Sequence, residues 1–125
     1  MKDQISESFS ITKDFLSCKC CNAFNYNDRF WRLMQQLRWV VDKPFYTDRK
    51  GGSGFRCSIY NKQIKGAKDS RHLHGDALDV STHGWSGNER YYLVREAIHL
   101  GFSVGIYQSW VHLDLRPGLP VVFHG

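Results

Sequence analysis

The sequence contains no run of about 18 apolar residues, so no segment is read as a membrane-spanning helix. Its first residues, MKDQISESFSITKDF, lack the apolar stretch of a secretion signal, and the expectation is synthesis in the cytoplasm without a leader. No internal repeat divides the chain. Without a leader, disulfides among the four cysteines are discounted, and the CxCC run at Cys18, Cys20 and Cys21 is not read as the CxxC knuckle usual for structural zinc. Together with Cys57 they are expected to be free thiols packed as small apolar groups, with a Cys-rich metal site as the alternative. Also missing are an HNH-like pairing and a strand of interleaved basic and aromatic residues. Their absence weighs against a nuclease or other nucleic-acid protein despite a formal charge of +5.

What is present fits one compact domain over residues 1–125, since 125 residues at 42% hydrophobic composition can bury a core but leave little room for a second. A pI near 9.1 favours an acidic partner: nucleic acid, an anionic wall polymer or a carboxylate-bearing substrate. Lys62, Lys65, Lys68 and Arg71 recur at three-residue spacing and read as a solvated face.

The first 26 residues read as an irregular arm with one helical turn in SITKDFL. Phe30, Leu33, Met34, Leu37, Val40 and Val41 recur at helical spacing, which predicts an amphipathic helix over 28–42, capped by Asn27 or Asp28. A short strand after Pro44 runs into a Gly-rich turn, and SIYNKQIKGAKDS has too few periodic apolar residues for a helix. ALDVST reads as a strand and NERYYLVREAIHLG as a helix capped by Asn88 and stopped by Gly101, followed by the strands SVGIY and WVHLDLR. The order predicts an α+β domain with a small antiparallel sheet flanked by helices.

The run DSRHLHGDALDVS holds two histidines and three aspartates within 13 residues. A zinc site that performs chemistry needs about three His, Asp, Glu or Cys ligands and an open position. His72 lies just before the predicted strand and Asp79 within it, and Gly75 supplies backbone freedom between them. In WVHLDLR, alternation turns Trp110, His112, Asp114 and Arg116 to one face and Val111, Leu113 and Leu115 to the other. His74 offers an HxH alternative to His72, while His83, His99 and His124 match no motif.

SRHLHGDALD fits SxHxxGxAxD, and with WVHLD it resembles the zinc peptidases of the M15 family, the D-Ala-D-Ala carboxypeptidase and phage endolysin group. Upstream, SGFRC, Asn61 and IKGAKDS are similar to the family's SGYRxxxxN and GGAxxS segments, so the resemblance covers roughly residues 9–116. It implies a hedgehog/DD-peptidase-like fold, Zn2+ on His72, Asp79 and His112, and Arg56 and Ser70 on the substrate's carboxylate or carbonyl. Many members carry Glu or Asp three residues before the last histidine as general base, where this chain has Ser109. Asp114 is the expected substitute, the alternative being that it only orients His112. The resemblance thus implies a zinc peptidase cutting peptidoglycan stem peptides, acting at the cell wall in the manner of an enzyme that a phage releases through a holin, and the chain is expected to be a monomer. A catalytically silent wall-binding module that keeps its zinc is the alternative.

Overall fold

The computed structural model describes residues 17–43, 45–46 and 54–125. The helical turn expected in SITKDFL and most of the strand expected after Pro44 lie outside the described residues. No helix among the described residues is long and apolar enough to cross a membrane.

Helix α1 spans Asp28–Val41, one residue short of the expected end. Asn27 caps it by accepting the Phe30 amide at 3.1 Å, and Asp42 closes it in the left-handed region at φ 56°. Its apolar stripe buries Phe30, Trp31, Met34, Leu37 and Val41. Where a loop was expected, a short helix α2 covers Ser58–Gln63, with Cys57 as its cap. A 3-10 turn at Arg71–His74 then leads into β1, Ala77–Ser81.

Helix α3 is Gly87–His99. Its cap is Ser86 rather than the expected Asn88: the Ser86 hydroxyl accepts the Glu89 amide and the Glu89 carboxylate accepts the Ser86 amide, a reciprocal pair that Asn88 has no partner to form. Strands β2 (Ser103–Ile106), β3 (Trp110–Asp114) and β4 (Val122–His124) complete the fold.

The sheet order is β1-β3-β2-β4. Strand β3 pairs antiparallel with β1 and β2, but β4 is parallel to β2, so the sheet is mixed and not purely antiparallel as expected. The loop after β3 steps past β2 before turning back, which makes β4 antiparallel to β3 and therefore parallel to the strand between them. Tyr46 adds an isolated antiparallel bridge to Ser81 at the far edge.

One face of the sheet presents Leu78, Val80, Val104, Val111 and Leu113, all fully buried, to the apolar faces of α1 and α3. Alternation then leaves the opposite face of β1 and β3 for polar residues, and the candidate site stands there.

Candidate metal centre

A row of residues crosses the polar face through the strand register: Asp79 opposite His112, His112 opposite Gly105, and Gly105 opposite Phe123. The faces predicted for WVHLDLR hold, with Val111 and Leu113 in the core and His112 and Asp114 on the other side. Gly105 is required by its neighbours. A Cβ there would lie 2.5 Å from the Phe123 ring and 3.2 Å from the Cβ of His112, so any side chain would push one of them out of the row.

His72 arrives from the 3-10 turn before β1. Ser70 caps that turn, its hydroxyl accepting the His72 amide at 3.3 Å, and Gly75 ends it in the left-handed region at φ 70°. A Cβ on Gly75 would overlap the Asn25 carbonyl, so glycine is what lets the turn pass under the chain entering α1. Arg71 locks the turn to the start of β1 through a two-pronged pair with Asp76, at 3.1 and 2.5 Å. Arg71 therefore belongs to this lock and not to a solvated face with Lys62, Lys65 and Lys68.

These elements bring one ligand-type atom each from His72, Asp79 and His112 within 4.8 Å of one another. Nε2 of His72 is 3.4 Å from Oδ1 of Asp79, and Nδ1 of His112 is 2.8 Å from the same oxygen. The remaining nitrogens are both engaged. Nδ1 of His72 is 2.8 Å from the carbonyl of Gly54, which only accepts, so Nδ1 carries the proton and Nε2 is left facing Asp79. Nε2 of His112 donates to Oδ2 of Asp114 at 2.8 Å. Asp114 is fully buried and held by Arg116, whose Nε and backbone N–H donate to Oδ1 at 3.0 and 2.9 Å and whose Nη2 donates to Oδ2 at 2.7 Å.

Burial opposes charge on His112, but its hydrogen bonds to Asp114 and Asp79 outweigh burial and push its pKa up to about 9. The same contacts act in reverse on the acids. Burial raises the pKa of Asp79, yet His112 and His72 hold it well below the usual carboxylate range. Asp114 is likewise opposed by burial and held low by His112 and Arg116. Without metal the row is thus an imidazolium clamped between two carboxylates.

Arg56 stands alongside: its amide donates to the His72 carbonyl at 3.2 Å, and its Nη1 donates to Oδ1 of Asn61 at 3.1 Å. Burial pulls its pKa down while the charge of Asp79 pulls it up, so the guanidinium lies within electrostatic reach of the cluster. His74 pairs with Asp69 at 3.0 Å, and neither it nor His83, His99 or His124 belongs to the group of donors. Ser109 is exposed at the turn into β3, where its carbonyl accepts the Thr82 amide. Sequence reasoning missed the Gly54 carbonyl, Gly105 and the Arg116 clamp. Only the last had a signal, since Arg116 continues the polar alternation of His112 and Asp114.

A family model described as Peptidase M15 matches residues 17–114. The chain belongs to that family. Peptidases of the M15 family are generally zinc-dependent, and two clusters here, His72/Asp79/His112 and Cys18/Cys21/Cys57, have the donor chemistry to hold a metal. No curated protein matches the chain significantly.

Proposed function

We propose that this M15 chain is a zinc peptidase that hydrolyses peptide bonds in the stem peptides of bacterial peptidoglycan, with zinc held by His72, Asp79 and His112. The observation that carries the reading is the pinning of both histidines from behind. Gly54 holds His72 and Asp114 holds His112, so each ring turns its other nitrogen toward Oδ1 of Asp79. Ligands about 2.0–2.1 Å from a tetrahedral zinc stand roughly 3.3 Å apart, and the two separations here, 3.4 and 2.8 Å, require only a small opening. Zinc bound there supplies Lewis acidity for attack of water on a peptide carbonyl.

The chain's own residues bind and orient. Arg56, half-buried beside the cluster, presents a guanidinium suited to two-point contact with a substrate carboxylate. Ser70 fixes the turn that delivers His72, and the family resemblance gives its hydroxyl the further task of contacting the substrate. Asp114 acts through His112: both its oxygens are engaged and it meets the imidazole on the side away from Asp79, which suits a positioning residue better than a general base. That same observation favours a second reading, a silent module that binds wall peptides without cutting them, because Ser109 brings no carboxylate to the site. A protein of this kind would act at the cell wall after release from the cytoplasm.

Mass spectrometry of purified muropeptides incubated with zinc-loaded protein tests the activity and identifies the bond cut. Zinc in the protein with no product from any muropeptide would favour the silent module. Zinc content should fall in His72→Ala and His112→Ala and persist in His74→Ala. Asp114→Asn separates the two roles of that residue: a positioning role predicts zinc bound about 10- to 100-fold more weakly, with activity restored by excess zinc. A base would instead leave turnover down roughly 100-fold at saturating zinc.

A further inference from the structure

Of the four cysteines, Cys18 alone packs as a small apolar group. Cys20 and Cys21 are exposed, Cys57 is half-buried, and of the four only Cys18 is buried. Yet they converge: sulfurs of Cys18, Cys21 and Cys57 lie within 4.8 Å of one another, and Cys57 is in hydrogen-bond contact with Cys18, Cys20 and Cys21. Burial accounts for Cys18 but not for Cys21 and Cys57 gathering on it, and pairing two of them as a disulfide would leave the third sulfur in the same small space. Thiolates about 2.3 Å from one zinc would stand roughly 3.8 Å apart, a spacing that the three sulfurs accommodate, and Cys20 adjoins them through its contact with Cys57.

The backbone is arranged for charged sulfur. The Cys57 amide donates to Cys18 Sγ at 3.3 Å and the Tyr60 amide to Cys57 Sγ at 3.4 Å. Two amides on two sulfurs offset part of the charge that gathered thiolates would carry. The turn that presents them is tight, with the Asn22 amide on the Cys18 carbonyl at 2.8 Å, the Cys18 amide on the Ala23 carbonyl at 2.8 Å, and Asn22 at φ 61°. Within CKCC, Cys18 and Cys21 do stand at CxxC spacing, with Cys20 as an extra thiol between them, so the reading that found no knuckle here is corrected.

We propose that Cys18, Cys21 and Cys57, with Cys20 as fourth donor, form a structural zinc site separate from the peptidase centre. It joins the chain leading into α1 to the segment 54–57, which supplies Arg56 and the carbonyl that holds His72. The site is closed, with sulfur at every position, and carries no chemistry of its own.

The test uses the full chain and a background in which the other cluster is disabled. A His72→Ala/His112→Ala double variant should retain about one zinc per chain, and cobalt in its place should give thiolate-to-metal charge-transfer absorption in the near ultraviolet. Adding Cys57→Ser or, at an exposed position that spares the fold, Cys21→Ser should abolish that absorption. Wild type should bind about two zinc ions and release four titratable thiols once denatured with chelator. A double variant that binds no metal, or cobalt absorption that survives both cysteine changes, would overturn the proposal, as would a disulfide among the four in freshly purified protein. Wild-type protein that carries this signal yet releases no product from any muropeptide would count against the proposed function alone.

Discussion

His112 is the residue on which the candidate site turns, because it faces a carboxylate from each ring nitrogen. In the metal-free protein it keeps its proton to about pH 9, so at pH 7.5 a metal entering the cluster has to displace that proton. Zinc binding is therefore expected to release close to one proton from this site. Calorimetric titration of a Cys57→Ser background in buffers of different ionisation heats would measure it, and a binding heat independent of buffer would contradict the clamp. The sign for stability follows from the same shift. A histidine pKa raised above its ordinary value near 6.5 contributes stability that is complete below that value and lost as pH rises through about 9, with an upper bound of about 3 kcal/mol. Thermal unfolding of metal-free protein should accordingly show a decline on the alkaline side, which His112→Gln removes.

At the scale of elements, the parts that the sequence shows clearly are those with a long period or strict alternation. The α1 stripe from Phe30 to Val41 runs through about three turns, and β3 alternates without interruption from Trp110 to Asp114, so both were legible. Helix α2 has six residues and β4 three, too short for any period to declare itself, and β4 takes its place from parallel pairing with β2. The α3 cap was misplaced for a different reason: Ser86 and Glu89 stand at the spacing of a capping box, but the intervening Gly87 hides the start. Ser86→Ala should cost about 1 kcal/mol in urea unfolding while zinc binding stays unchanged. Gly105→Ala makes a sharper demand, since it forces Phe123 or His112 from its place. A loss of about 1–3 kcal/mol is expected, accompanied by weaker zinc binding at the His72 cluster. A stable Gly105→Ala with unaltered zinc affinity would show that the row tolerates more than its geometry allows.

Across the whole molecule, the two clusters are tied by four consecutive residues. Gly54 accepts from His72, the Phe55 amide donates to the Tyr26 hydroxyl at 2.6 Å, the Arg56 amide donates to the His72 carbonyl at 3.2 Å, and Cys57 enters the thiol cluster. No sequence pattern reveals this linkage, because the contacts of Gly54 and Phe55 run to residues 18 and 29 positions away and use backbone atoms. If the thiol site holds this segment, loosening it should be felt at His72, which would lose the acceptor that fixes its tautomer. Cys57→Ser is thus expected to weaken zinc at the His72 cluster by roughly 10-fold, the scale typical of a lost orienting contact, although Cys57 is not one of its ligands. Tyr26→Phe removes a different anchor of the same segment and should act in the same direction with the thiol site intact. Competition with a chromophoric chelator would read both affinities. Wild-type affinity at the histidine site in both variants would mean that 54–57 is held by its own packing, and that the two clusters share a segment without sharing energy.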